Sequence, residues 1–249
     1  MTLTHDAFLG GRLHLHQPAR GFRGGIDAVL LAAACPARPG DHVLDLGCGV
    51  GTAALCLGVR VPGLRLAGVE LQEDYAALAR RNAHEAGQEM DVHCADLTRL
   101  PDALRARSFD HVIANPPYYE RGKGSAAPDP GRDTALAGDT PLTAWCDAAT
   151  RRLKPKGWLT MIQKADRLGD VLTAMDARLG SIMVQPLAPR TGQEAHLVIV
   201  RARKGGRAPL RLAAPIILHN GVSHPGDQDH YTSAISAVLR DAAALPVAD

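Results

Sequence analysis

An α/β fold, with a mostly parallel sheet covered by helices on both faces, is the architecture this sequence predicts. Two observations lead there. Apolar runs at Val43–Leu46, Leu66–Glu70, Asp91–Ala95 and Phe109–Ala114 alternate with Ala- and Leu-rich stretches of helical period. Strands buried on both sides of a parallel sheet read as such near-continuous apolar runs. Each run is also followed by residues that carry chemistry: Gly47-Cys48-Gly49-Val50-Gly51, then Glu70, then Asp96, then Asn115-Pro116-Pro117-Tyr118. Open α/β sheets bind their ligands along that carboxyl edge.

The elements follow in order. Leu9 to Gln17 reads as extended structure, with Phe8 the buried aromatic ahead of it. A helix is expected at Ile26–Ala34, and helices near Thr52–Arg60, Asp74–Ala86 and, shorter, Pro101–Arg105 link the four strands. The right-handed crossover rule places the early strands on one side of a switch point, beside the first. Tyr119 to Thr140 is rich in Gly, Pro and charge and has no periodicity; so long a loop reads as a mobile lid that orders over a substrate, or as static disorder. A helix at Leu142–Leu153, a strand at Trp158–Gln163 and a helix at Arg167–Leu179 come next. Ser181–Leu187 and Ala195–Ala202 then form an antiparallel hairpin at the sheet edge, and Arg203–Arg207 is a turn-rich break. The tail offers a short strand, Ala214–Leu218, and a helix, Thr232–Leu239. With no repeat and no linker, residues 1–249 are expected to form a single domain.

The turn after the fourth strand is the most specific chemical signal. A planar exocyclic nitrogen is a poor nucleophile because its lone pair is delocalised. The Asn115 side-chain oxygen and the Pro116 carbonyl can both accept N–H bonds from such a nitrogen, turning its lone pair toward a methyl donor. Two consecutive prolines confine the preceding residue to extended conformations and so fix the direction of Asn115. Tyr118 offers a flat face for a flipped-out base. The plain alternative is a Pro-rich turn with Tyr118 packed on the surface. Upstream, the glycines allow close approach to the backbone, and the helix beginning near Thr52 points N–H groups at a ligand. Position 52 is Thr where the dinucleotide fingerprint wants Gly or Ala. Glu70 lies at the separation expected of a carboxylate that grips ribose hydroxyls, and Asp96 could face an adenine amino group. Alone, either acid would read as a solvated strand end; the order of all four features is what is specific.

These motifs resemble the class I S-adenosylmethionine-dependent methyltransferases of the amino-group-modifying branch. More narrowly, Gln17 to Leu31, Tyr119-Glu120 and Asp229-His230-Tyr231-Thr232 resemble the bacterial tRNA(Val) adenine-N6 methyltransferases, over about Thr4 to Leu239. The resemblance implies a Rossmann-like fold: a mostly parallel seven-stranded sheet with an antiparallel edge strand. Within the single domain it implies an amino-terminal element, residues 1–40, over the cofactor, a core at 41–203 and an extension at 204–249. It further implies S-adenosylmethionine as cofactor, with Asp45, Gly47, Cys48, Gly49 and Gly51 around its methionine part. Glu70 and Leu71 would serve the ribose side, Asp96 and Leu97 the adenine, and Asn115 lies between cofactor and target. Gln17, Arg23 and Asp27 match the element that folds over the cofactor, although Phe22-Arg23-Gly24-Gly25 departs from the family pattern and leaves the partner of Arg23 open. The catalytic set would be Asn115, Pro116, Pro117 and Tyr118.

Composition narrows the classes. The net charge of +2 is modest for a nucleic-acid-binding chain. Arg121 and Lys123, directly after the catalytic motif, are nevertheless expected to meet RNA phosphates, since a flipped base leaves its phosphates close by. The basic clusters at Arg151–Lys156 and Arg201–Arg211 read as solvated faces. Five cysteines without a CxxC pair suit reduced thiols in a cytoplasm. No zinc pattern is present, and His14-x-His16 reads as two outward strand residues, so no metal is expected. No apolar stretch reaches the ~18 residues that span a membrane, and Met1 to Asp6 shows no secretory signal. The competing activity is glutamine N5-methylation of a protein release factor, which uses the same tetrapeptide; about 40 residues ahead of the core are few for that group's substrate-binding bundle. A DNA adenine methyltransferase would need a target-reading insert. From another class, a non-catalytic RNA-binding module could keep this fold as a scaffold.

Overall fold

The computed structural model describes residues 2–118, 140–221 and 230–247. Arg121, Lys123, the proposed lid and Asp229 lie outside the described residues. The chain opens with a hairpin, β1 (Leu3–Phe8) and β2 (Leu13–Pro18), closed by a 3-10 turn at Leu9–Gly11. Gly10 and Gly11 adopt φ of 65° and 87°, which is why the chain turns where continuous extension was expected. That turn brings Leu9 into the interior at 3% exposure, while Phe8 stays half-buried, the reverse of the expectation.

After α1 (Ile26–Ala34) come β3 (His42–Leu46), α2 (Thr52–Arg60), β4 (Arg65–Glu70), α3 (Glu73–Glu85), β5 (Met90–Cys94), α4 (Asp102–Arg105) and β6 (Phe109–Ala114). The second half holds α5 (Leu142–Arg152), β7 (Leu153–Lys164), α6 (Leu168–Ala174), β8 (Leu179–Ala188) and β9 (Leu197–Lys204). Two short strands, β10 (Arg211–Leu212) and β11 (Ile216–Ile217), and α7 (Ser233–Asp241) complete the described chain. The sheet order is β10-β8-β9-β7-β6-β3-β4-β5, with β11 also on β8. Strands β5, β4, β3, β6 and β7 are mutually parallel, and β9 is antiparallel to both β7 and β8. The antiparallel strand therefore lies one place inside the expected edge, because the β8–β9 hairpin folds back and slots its second strand against β7. Beyond it, β10 and β11 pair parallel with β8 and cover its outer edge.

Two local features shorten or lengthen elements against expectation. Helix α6 stops at Ala174 because Asp176 Oδ1 accepts the Arg178 N–H at 2.8 Å, a side-chain turn that competes with helical bonding. Strand β7 starts five residues early, through a register shift against β6 at Phe109/His111.

Each sheet face is buried. On one side Ile113, Ile162, Ile199 and Leu187 pack with α1, α2 and α7; on the other Leu46, Val69, Val112, Ala114 and Met161 pack with α5. Apolar residues on both faces hold the central strands rigid, and that rigidity sets the geometry at their carboxyl ends. The switch point falls between β3 and β6. There, Leu46 pairs with Ala114 on one side and Val69 on the other, so Gly47, Asn115 and Glu70 leave the sheet in one row.

Candidate active site

Three turns meet at that row. In the first, Gly47, Gly49 and Gly51 have φ of 66°, 54° and 88°, a left-handed path that side chains rarely tolerate. A Cβ on Gly47 would also stand 2.5 Å from the Trp145 ring. Glu70 ties the turn together: Oε2 accepts the Gly49 N–H and Oε1 the Gln72 N–H, each at 2.9 Å. Burial raises its pKa, against the pull of these N–H groups. Asp45, 2% exposed, accepts from Ala54 N at 3.3 Å, and burial pushes its carboxyl up to about 8. Cys48 is buried and its thiol is raised by desolvation, which makes it a small filler at neutral pH.

Residues 21–25 lie over this turn. The Phe22 ring sits 3.7 Å from where a Cβ on Gly49 would be, and a Cβ on Gly24 would strike Thr52 Oγ1. The Tyr75 hydroxyl accepts the Phe22 N–H at 3.0 Å. Gln17 and Arg23 hold the segment from behind. Gln17 donates to Asp6 at 2.8 Å and accepts from Gly24 N at 2.8 Å, while Arg23 Nη2 donates to Asp6 at 2.7 Å. Asp6 is thus the partner of Arg23 that the sequence left open. Gln17, 2% exposed, spends its amide on Asp6 of the hairpin and Gly24 of the covering segment, so it braces one against the other.

The second turn follows β4, and a further turn, after β5, lies beside it. Leu71 is 59% exposed, the largest apolar side chain at this rim without a cover among the described residues. Asp96 Oδ1 accepts both the N–H and the hydroxyl of Thr98 at 2.8 Å. Leu97 begins the following 3-10 turn half-buried beside it.

The third turn is Asn115-Pro116-Pro117-Tyr118. The Tyr118 hydroxyl donates to Asp27 on α1, and burial, then the Asp27 charge, raise its pKa; a hydrogen bond from the Asn115 side chain acts the other way. The Asn115 side chain lies beside the Tyr118 hydroxyl, and an amide that donates its N–H there keeps Oδ1 as an acceptor. Asp27, expected among the residues over the cofactor, is thus tied to the last residue of the tetrapeptide. Lys164 Nζ lies 6.0 Å from the Tyr118 ring centroid.

Sequence reasoning missed four residues here. Trp145, Tyr75 and Thr52 pack on the glycine turn, and Gln163, wholly buried, donates to the Pro116 and Pro117 carbonyls at 3.3 and 3.4 Å. Only Gln163 left a signal, as an amide ending an apolar strand.

The His14-x-His16 pair points outward as expected, and cross-strand pairing sets His5 beside His16. His5, His16 and Glu85 bring ligand atoms within 4.8 Å. However, Arg81 Nη2 stands 3.0 Å from His16 Nε2 and its Nε 2.7 Å from Glu85, so a guanidinium already occupies the cationic position.

The site offers left-handed glycines, a buried carboxylate bonded to the Gly49 N–H, an open apolar rim and, on the neighbouring strand end, a pair of acceptors fixed by two prolines. Thr52 Oγ1, buried at 3% exposure and without a hydrogen-bond partner among the described residues, is a further donor at the start of α2. These are the requirements of a nucleoside-bearing methyl donor on one side and an amine on the other.

Comparison with known proteins agrees. Residues 24–129 match the family model "Methyltransferase small domain". A crystal structure described as a predicted O-methyltransferase from Agrobacterium tumefaciens superposes with a TM-score of 0.68 at 26% identity, over 85% of this chain and 94% of that one. The fold and the site thus define a class I methyltransferase. Among named relatives, the tRNA1(Val) (adenine(37)-N6)-methyltransferase of Porphyromonas gingivalis is 32% identical over 67% of this chain and 68% of its own. Its namesake from Aeromonas hydrophila is 29% identical over 81% and 85%. The chain belongs to the tRNA1(Val) (adenine(37)-N6)-methyltransferase family.

Proposed function

We propose that this protein transfers a methyl group from S-adenosylmethionine to N6 of an adenine in tRNA, at position 37 as the names of its relatives indicate. One observation carries the reading: Asn115-Pro116-Pro117-Tyr118 leaves β6 in register with Gly47 and Glu70, so acceptors and cofactor turn share a cleft. Asp45, Gly47, Cys48, Gly49, Gly51 and Thr52 would surround the methionine part of the cofactor. Glu70 would hold the ribose, with Leu71, Asp96 and Leu97 around the adenine, and residues 21–25 would close over it. When bound, the cofactor supplies an electrophilic methyl on a sulfonium.

The protein's part is orientation. Asn115 Oδ1 and the Pro116 carbonyl accept the two N–H bonds of N6, turning its lone pair toward the methyl while Tyr118 packs on the base. The N6 proton would become acidic only once the methyl has arrived, so Asn115 and Pro116 need only accept and no strong base is required. Arg121 and Lys123 would meet the flanking phosphates. The reading places the protein in the cytoplasm, within a single domain, with no metal.

The test is mass spectrometry of tRNA nucleosides from cells with and without the gene. Loss of N6-methyladenosine from a valine tRNA is expected; an unchanged nucleoside profile would sink the assignment. A methylated protein glutamine lost instead would favour the release-factor activity.

A further inference from the structure

We propose that Gln163 is a positioning residue for methyl transfer, one that aims the Pro116 carbonyl at the target amine. This rests on the function proposed above. Proline has no N–H, so Pro116 and Pro117 can be anchored through the backbone only at their carbonyls. Strand pairing sets Ala114 beside Met161, which brings Gln163 level with Pro116 two residues on. From there Nε2 donates to the carbonyls of Pro116 at 3.3 Å and Pro117 at 3.4 Å, while Oε1 accepts the Lys164 N–H at 2.9 Å. The amide is fully buried and uses both ends, as a buried amide must to avoid a desolvation cost.

A carbonyl oxygen has two lone-pair directions. Gln163 takes the one on the sheet side of Pro116 and leaves the other for the cleft. The next carbonyl is held alike, since Arg167 Nη1 donates to Tyr118 O at 3.3 Å. Asn115 is steadied on its own side through Tyr118 and Asp27. Each acceptor is therefore braced from behind, Asn115 through its contact with the Tyr118 hydroxyl and Pro116 through Gln163, which donates to its carbonyl.

The experiment compares Gln163→Leu, Gln163→Glu and Asn115→Ala with the wild-type protein, using an unmodified valine tRNA transcript and labelled S-adenosylmethionine. Gln163→Leu is expected to lower kcat on the order of 10- to 100-fold, as a displaced reacting partner does, with KM for tRNA, cofactor Kd and melting temperature near wild type. Gln163→Glu is expected to keep activity while burial and the two facing carbonyls hold its carboxyl protonated as a donor, and to lose activity as rising pH ionises it. Wild-type kcat in Gln163→Leu, or a loss matched by KM and melting temperature, would overturn the proposal. If Asn115→Ala is inactive while Gln163→Leu is not, Gln163 alone is misassigned. Full activity in Asn115→Ala would remove the catalytic reading itself.

Discussion

Two turns leave neighbouring strands at the same sheet edge and are built in opposite ways. The turn after β3 gains its path from glycines with φ of 54° to 88°, and presents N–H groups held by one carboxylate, Glu70. The turn after β6 gains its path from two prolines that remove freedom, and presents oxygens held by Gln163 and, through Tyr118, by Asp27. A donor surface that must approach a ligand closely needs a backbone without side chains. An acceptor pair that must aim at one nitrogen needs a backbone that cannot turn away.

Substitution can separate the two roles. Asn115→Ala should cut kcat on the order of 10²–10³-fold, by analogy with loss of one oriented hydrogen-bonding group at a reaction centre, and leave cofactor Kd nearly unchanged. Glu70→Ala should do the reverse, weakening cofactor binding in calorimetry because both the proposed ribose partner and the clamp on Gly49 go. If Asn115→Ala abolished cofactor binding, the two turns would be one structural unit and the contrast would be false.

Both turns were legible because each is local: Gly-x-Gly-x-Gly and Asn-Pro-Pro-Tyr carry their geometry in consecutive residues. What braces them was not. Trp145, Tyr75, Asn82 and Gln163 arrive from distant segments, through sheet register and helix packing that no local pattern encodes. Asn82, fully buried, joins the Val50 carbonyl to the backbone of His16, and nothing in its helix marks it for that task. The same reason explains the placement of β9: a hairpin is readable from its turn, but which of its strands pairs with β7 depends on partners far along the chain. Asp27 and Gln17 were assigned to the cofactor from their motif, whereas their contacts were set by Tyr118 and Asp6.

Packing around the glycine turn gives the next largest effect. Gly47→Ala places a methyl 2.5 Å from Trp145 in a left-handed backbone. A loss of roughly 1–3 kcal/mol is expected from strain of this kind, read as a lower denaturation midpoint. Adding Trp145→Ala should relieve the collision but not the strained φ, so recovery should be partial. Full recovery would show that φ at Gly47 costs little, and that the glycine serves only the ring.

A smaller effect comes from Asp45. Burial raises its folded pKa to about 8, above the 3.8 of an exposed aspartate, so the folded state binds a proton that the unfolded state has already lost. Stability should then fall as pH rises between those two values, and level off above the higher one. Asn cannot ionise and can still accept from Ala54, so Asp45→Asn should flatten that slope and melt higher than wild type in mild alkali. Parallel pH profiles for the two proteins would mean that Asp45 is ionised in the folded state.

The smallest effect belongs to the hairpin that braces the cover over the glycine turn. Arg23 and Asp6 are 38% and 27% exposed, and an ion pair so open to water contributes less than about 1 kcal/mol. Burial works against the Asp6 charge, yet Gln17, Thr4 and Arg23 together hold its pKa below the ordinary value. The contribution is therefore present at neutral pH and lost as pH falls through the depressed value. Arg23→Ala should lower the melting temperature by only a few degrees. It should also weaken cofactor binding slightly, because Gln17 still holds Gly24 through both ends of its amide. Gln17→Ala, which frees that loop, should do more harm than Arg23→Ala. If the order were reversed, Arg23 would be meeting the ligand directly, and the hairpin would belong with the catalytic turns instead of behind them.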